Sequence, residues 1–420
     1  MSRVLGGSGL RAVVSAALVA IVALATAVDA GAAKKEPGSS ELRRVLFVGN
    51  NWDGTADVIR PRKGYDRLAR INIIPDIDER MTEILTNPVR LGYFLGIRQL
   101  IGEGHDQYVD DMFTTNDGRL LIVSRPSLAD VVAIDLDTRE IAWRFVVDGQ
   151  RSDHMAISPD GRHVAVSAST GNVVHVLDTA TGREVGRFAS GDSPHENNYS
   201  ADGELIYHAS IGLVYTPTDD PILDSTKGER VFHIVDADTF EVLERIDMGQ
   251  KLEQAGYPDM SSAVRPMALS PDERYVYFQV SFFHGFVEYD FKRDRVTRVA
   301  HLPNEVPELR REQYLLDSAH HGLAINGRGT KLCAAGTMSD YAAIVSRKTF
   351  SYRLIHGGEK PYWSTNNDSG KKCFVSWSGS DRISVISYEQ KKEIARVDVG
   401  DHPQRMRMGT VRASWLRANR

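Results

Sequence analysis

The stretch Ser152 to Ser169, SDHMAISPDGRHVAVSAS, reads as a short strand, a tight turn over Pro159, Asp160 and Gly161, and a second strand ending in small residues. Proline presets φ for a turn and glycine supplies the backbone conformation that other residues resist, so Pro-Asp-Gly between two apolar runs is a turn with a mechanism. The unit recurs along the chain. It is met again as YVDDMFTTNDGRLLIVSR (108–125), PHENNYSADGELIYHAS (194–210), VRPMALSPDERYVYFQVS (264–281), HHGLAINGRGTKLCAAGT (320–337) and PYWSTNNDSGKKCFVSWS (361–378). A partial last copy is PQRMRMGTV (403–411).

With the residue aligned to Asp153 as register, the copies begin at 110, 153, 195, 265, 321, 362 and 404, at intervals of 43, 42, 70, 56, 41 and 42. A base period near 42 with two expanded copies is the spacing of four-stranded propeller blades. The filler is regular too. NVVHVLDTATGREVGRF (172–188), VVAIDLDTREIAWRF (131–145), VFHIVDADTFEVLERI (231–246), FVEYDFKRDRVTRV (286–299) and RISVISYEQKKEIARV (382–397) each read as two alternating strands around a polar turn. The last copy has only an innermost strand, and the N-terminus holds what it lacks: VLFVGN (45–50), ADVIRPR (56–62) and RLARINI (67–73). One blade is therefore built from both ends of the chain, which closes the ring and leaves no open sheet edge. The expected fold is all-β: a seven-bladed propeller of four-stranded antiparallel blades over residues 44–411, with 34–43 as a linker and 412–420 as a tail.

The second copy, with VVHVLDTATG (173–182) after it, resembles the YVTN or YncE-like propeller family, and the resemblance covers residues 44–411. That family includes surface-layer propellers, lactonases, the methylamine dehydrogenase heavy chain and the propeller domain of nitrous oxide reductase. It is specific for architecture; its motif is structural and carries no chemistry. The resemblance implies that each innermost strand starts at one face, the top. It also implies that the insertions 75–106, 211–229, 250–262 and 302–318 lie on that face. The first of them has helical character over 78–87 and 89–101. Function concentrates in loops on a rigid scaffold, so four insertions on one face point to a site there.

The chain has 420 residues with 51 basic and 56 acidic side chains, a balance that offers no basic surplus for nucleic acid. Arg3 and Arg11 precede a small-apolar run from Ala12 to Val28 and a small-residue stretch before Lys34. Residues 1–33 therefore read as a secretory signal peptide, with an uncleaved anchor as the alternative, and the protein is expected outside the cytoplasm, secreted or periplasmic. Removing two Arg and one Asp takes the net charge from −5 to −6. No membrane span is expected after cleavage. The two cysteines, Cys333 and Cys373, are too few for a disulfide scaffold. They fall on the second strands of adjacent blades with opposite parity, so they either bridge across one blade interface or stay as buried thiols.

The start of the repeat is where the copies differ. At the Asp153 register the blades present Asp110, Asp153, His195, Arg265, His321, Tyr362 and Gln404. One residue on stand Asp111, His154, Glu196, Pro266, Gly322, Trp363 and Arg405, with His320 and His402 beside them. Strand starts in a propeller converge on the axis, so these residues meet in a central funnel. His154, His195, His321, Glu196 and His402 could hold a divalent transition metal; the structural alternative is a set of histidines capping strand starts. Asp153, Arg265, Tyr362 and Arg405 suit acid–base work and the gripping of a carboxylate or phosphate. Trp363, Gln404, Asp110 and Asp111 suit substrate contacts, Trp363 by stacking on a sugar face. There is no HExxH helix, phosphate loop, serine elbow or CxxCH haem site. The function expected is an enzyme of lyase or hydrolase/lactonase type, acting at the top funnel on a sugar acid, lactone or glycan end. The competing readings are a non-catalytic scaffold that binds a ligand or a protein partner, and a redox-partner subunit.

Overall fold

The computed structural model describes residues 41–213, 221–314 and 317–419. The signal-peptide expectation and part of the 211–229 insertion fall outside them. Seven four-stranded antiparallel sheets form a ring, a seven-bladed β-propeller. The shared blade pairs the last strand of the chain, β28 (Pro403–Arg412), with the first, β1 (Leu42–Asn50), in register Leu46↔Met408. β2 (Thr55–Ile59) and β3 (Arg67–Asn72) complete it. The first strand thus begins inside the stretch expected as linker. The tail expected over 412–420 contains a short helix, α4 (Ala413–Ala418), whose Trp415 is buried and donates to the Leu136 carbonyl at 2.6 Å.

The opening stretch explains its own hairpin. β8 (Ser152–Ile157) and β9 (His163–Ala168) are joined by a turn in which Gly161 has φ +71°. Ser158 Oγ donates to Asp160 Oδ1 at 2.6 Å, and that oxygen accepts the Arg162 N–H at 3.0 Å. The bonds that shape the turn are local, while the Asp160 and Gly161 carbonyls are met from outside it, by Asn116 Nδ2 at 2.6 Å and the Thr179 hydroxyl at 2.9 Å.

Second and third strands are buried on both faces, whereas the outermost alternate, as in β27 (Lys392–Asp398). The core lies between blades. Val45, Phe47 and Val58 of the shared blade pack against Met112, Leu121 and Val123 of the next. Each such side chain contributes about 1.5–3 kcal/mol by leaving water. Cys333 and Cys373, on β21 (Lys331–Gly336) and β25 (Lys372–Trp377), form a disulfide between adjacent blades with Cα atoms 6.5 Å apart. The first insertion folds as two helices, α1 (Ile77–Leu85) and α2 (Pro88–Leu100); Asn87 caps the second by accepting the Val89 and Arg90 N–H groups. Ile84 and Phe94 pack on Leu128, which fixes the helices to the blade that follows.

Candidate functional site

The innermost strands leave their ladders at the residues where the repeats diverge. Pairing in the second copy slips between Ser152 and Met155, in the third between Pro194 and Glu196, in the fourth between Val264 and Met267, and in the sixth between Pro361 and Trp363. In the first and fifth copies the strand starts later, at Met112 and Leu323. A bulge releases a residue from the pleat and re-aims its side chain. Repeated around the ring, it turns Asp153, His154, His195, Arg265 and Tyr362 toward one cavity.

That cavity has a volume of about 400 Å3 and is lined by Asp110, Asp153, His154, His195, Arg265, His321, Tyr362 and Gln404. The insertions contribute Ile101, Gly212 and Tyr314, whereas 250–262 does not reach it. Residues of 250–262 line a separate groove with Phe282 and Arg311. Imidazole centroids stand 3.8 Å apart for His154 and His195, 5.9 Å for His154 and His321, and 5.7 Å for His195 and His321. One ligating nitrogen from each falls within 4.8 Å of the others, and Asp110, Asp153 and His154 form a second such group. Tyr362 lies on His321 at 4.3 Å.

Burial sets the charge states. It holds His154, His195 and His321 well below the ordinary imidazole value, helped by Arg405 beside His154 and by Arg265 beside His195. Burial likewise pushes Asp110 up to about 7 and Glu196 up to about 8, against the pull of Arg405. Glu196 Oε2 sits 2.6 Å from His154 Nδ1. The Nδ1 atoms of His195 and His321 are sealed from solvent and bond no other side chain. Asp153 is held by Arg151 at 2.7 Å and by the Ser169 hydroxyl at 2.8 Å.

Five expectations need correction. Trp363 is core, packed with Phe374 and Ile383 while the Arg405 and Arg407 guanidinium groups lie 4.3 and 5.0 Å from its ring, so no face is open to a sugar. Asp111 is fully buried and clamped by Arg407 at 2.7 and 2.8 Å, away from the cavity. Arg405 is also fully buried, beneath the cavity, with its Nε on Asp110 at 3.2 Å. It is not among the residues that line the cavity, and its charge acts on His154 and His321. His402 stacks on Trp52 at 3.8 Å, whose other contact is His105 at 3.9 Å, apart from the histidine trio. Glu196 stands behind His154 and offers the trio no ligand atom. The reason is common to four of them, His402 being the exception because it precedes its strand. The residue after the register position points away from the axis where the ladder resumes, and a period-two strand sends it into the blade interface. Gln404 lines the cavity and accepts a hydrogen bond from Asn51 at 2.7 Å. Arg151 and Tyr314 are cavity residues not singled out in the sequence; Arg151 directly precedes a repeat start, which was the available signal.

The site and fold define a seven-bladed β-propeller with a central cavity of histidine, carboxylate and arginine. No protein-family model matches the chain, and no curated protein matches it. Among solved structures, hydrazine synthase of Kuenenia stuttgartiensis is similar, with a TM-score of 0.53, 15% identity, and coverage of 70% of this chain and 88% of that chain. At that identity the likeness concerns the fold. Among the described residues no helix is long and apolar enough to cross a membrane.

Proposed function

We propose that the funnel is a mononuclear divalent-metal centre, held by His154, His195 and His321, in an exported propeller enzyme related to the YVTN type. The observation that carries this reading is the packing of three buried imidazoles with their ligating nitrogens within 4.8 Å of one another. Metal ligands must be deprotonated, and burial keeps all three imidazoles neutral. If the three merely capped strand starts, their ring nitrogens would be engaged, yet the buried His195 Nδ1 has no hydrogen-bond partner. Glu196 behind His154 repeats the arrangement in which a carboxylate orients a metal-bound imidazole.

A divalent metal there would act as a Lewis acid on a carbonyl or carboxylate oxygen. The chain's own groups would do the rest. Arg265 binds an anionic oxygen of the substrate, Asp153 and Tyr362 exchange protons with it, and Gln404 orients it. A cavity of about 400 Å3 suits one small polar unit: a sugar acid, a lactone or a glycan end. The reaction class is elimination or hydrolysis. Metal analysis of the purified protein, beside His154→Ala and His321→Ala variants, is the test. Near-stoichiometric metal that disappears in both variants is expected, and a metal-free wild-type protein overturns the proposal.

A further inference from the structure

Apart from the funnel, a groove of about 970 Å3 lies between the fourth strand of one blade, β19 (Arg295–His301), and the turns of the next. It is lined by six cations, Lys251, Arg293, Arg295, Arg298, Arg347 and Lys348, and by one carboxylate, Glu288. That carboxylate is occupied. Arg298 holds it at 2.8 and 2.5 Å, and Tyr277 donates to it at 2.7 Å. Lys251 is matched by Asp294 at 2.6 Å, and Arg293 stands 3.8 Å from Asp290. The Arg347 guanidinium donates to a neutral phenol, Tyr277, and to the Gly329 carbonyl, and makes no ion pair within 4 Å among the described residues. Arg295 and Lys348 are exposed at the ends of their strand and turn, with no ion pair among the described residues. A concentration of positive charge thus stands on a protein whose net charge is −5.

The lining also says what the groove is not. Protein partners are anchored by aromatic or aliphatic side chains that enter pockets, and the apolar side chains of this lining, Ala255, Tyr275 and Val296, stand among six cations. Single-stranded nucleic acid needs open aromatic faces for its bases. The one aromatic residue of the lining, Tyr275, has the Arg274 and Arg347 guanidinium groups each 5.0 Å from its ring. Cations in a long open groove without stacking surfaces suit a flexible chain carrying spaced negative charges, which binds by displacing counterions.

We propose that this groove binds an anionic polysaccharide through its carboxylate or sulfate groups. The test uses alginate and heparin as probes, with oligothymidylate and poly-glutamate as comparisons, and measures affinity against salt concentration. Arg295→Glu combined with Lys348→Glu reverses two charges that no fold contact uses. A control of equal charge change is Arg162→Glu with Arg183→Glu, exposed in another blade. The groove variant is expected to lose about tenfold in affinity at low salt and to show a shallower salt slope, with an unchanged melting temperature; the control should match the wild type. Binding of heparin without alginate identifies the sulfate as the recognised group, and binding of alginate shows that carboxylates suffice. The proposal is overturned if neither polysaccharide binds, if the control weakens binding as much as the groove variant, or if oligothymidylate or poly-glutamate binds as tightly.

Discussion

Each repeat has two ends that obey different rules. At the turn end, Ser158, Asp160 and Gly161 close a hairpin whose shaping hydrogen bonds run within a few residues, and only the Asp160 and Gly161 carbonyls reach further, to Asn116 and Thr179. At the axial end the strand bulges off its ladder and delivers buried ionisable groups, several of which meet partners from other blades. His154 reaches Glu196 from the next blade, and Arg405 reaches Asp110 across the chain closure. Locally satisfied ends are interchangeable scaffold. Ends that depend on their neighbours cost stability through desolvation and are retained where chemistry needs them.

That contrast is open to breakage by experiment. The largest effect is expected at the axial end: His321→Ala should take bound metal from about one per chain to background, measured by elemental analysis, while circular dichroism stays that of the wild type. Acid should come next. Burial holds His208 and His402 at about 3, so the unfolded chain takes up protons from about 6.5 downward while the folded chain does not. Stability should therefore be full above pH 6.5 and fall as pH drops from there toward 3, read as the urea midpoint against pH; a flat profile would remove the burial argument. Replacing both cysteines by serine should cost about 2–4 kcal/mol in denaturant titrations and leave metal content unchanged. Glu196→Gln should weaken metal binding about 10–100-fold in competition with a chelator, with little change in melting temperature. The smallest effect belongs to the turn end. Gly161→Ala places a side chain at φ +71° and 2.3 Å from Asn116 Oδ1, so a loss of about 1–2 kcal/mol is expected. Metal content should not move, and a drop there would mean that the two ends are not separable.

Legibility in the sequence followed the same division. The hairpin, the period and the closure by both termini are carried by turn residues and alternation, which act over a few positions, so they could be read directly. The register residues Asp110, Asp153, His195, Arg265, His321, Tyr362 and Gln404 all line the cavity, because a repeat places equivalent positions at equivalent radii. The next position was less legible. Of Asp111, His154, Glu196, Trp363 and Arg405, only His154 lines the cavity, since the length of the bulge in each copy decides whether that side chain follows the axis or the blade interface. His402 precedes the strand, and its place was decided by stacking on Trp52, a contact no local pattern announces.

The sequence by itself determined the number of blades, the strand order, the shared closing blade and the ring of positions that face the axis, because these rest on periodicity and turn chemistry. The tertiary structure alone decided three things. It brought His154, His195 and His321 to within ligand distance of one another. It sealed Arg405 and Trp363 beneath the cavity, and it gathered six cations along the groove beside β19. Each depends on distances between side chains tens of residues apart, set by how closely neighbouring blades pack and where each strand leaves its ladder.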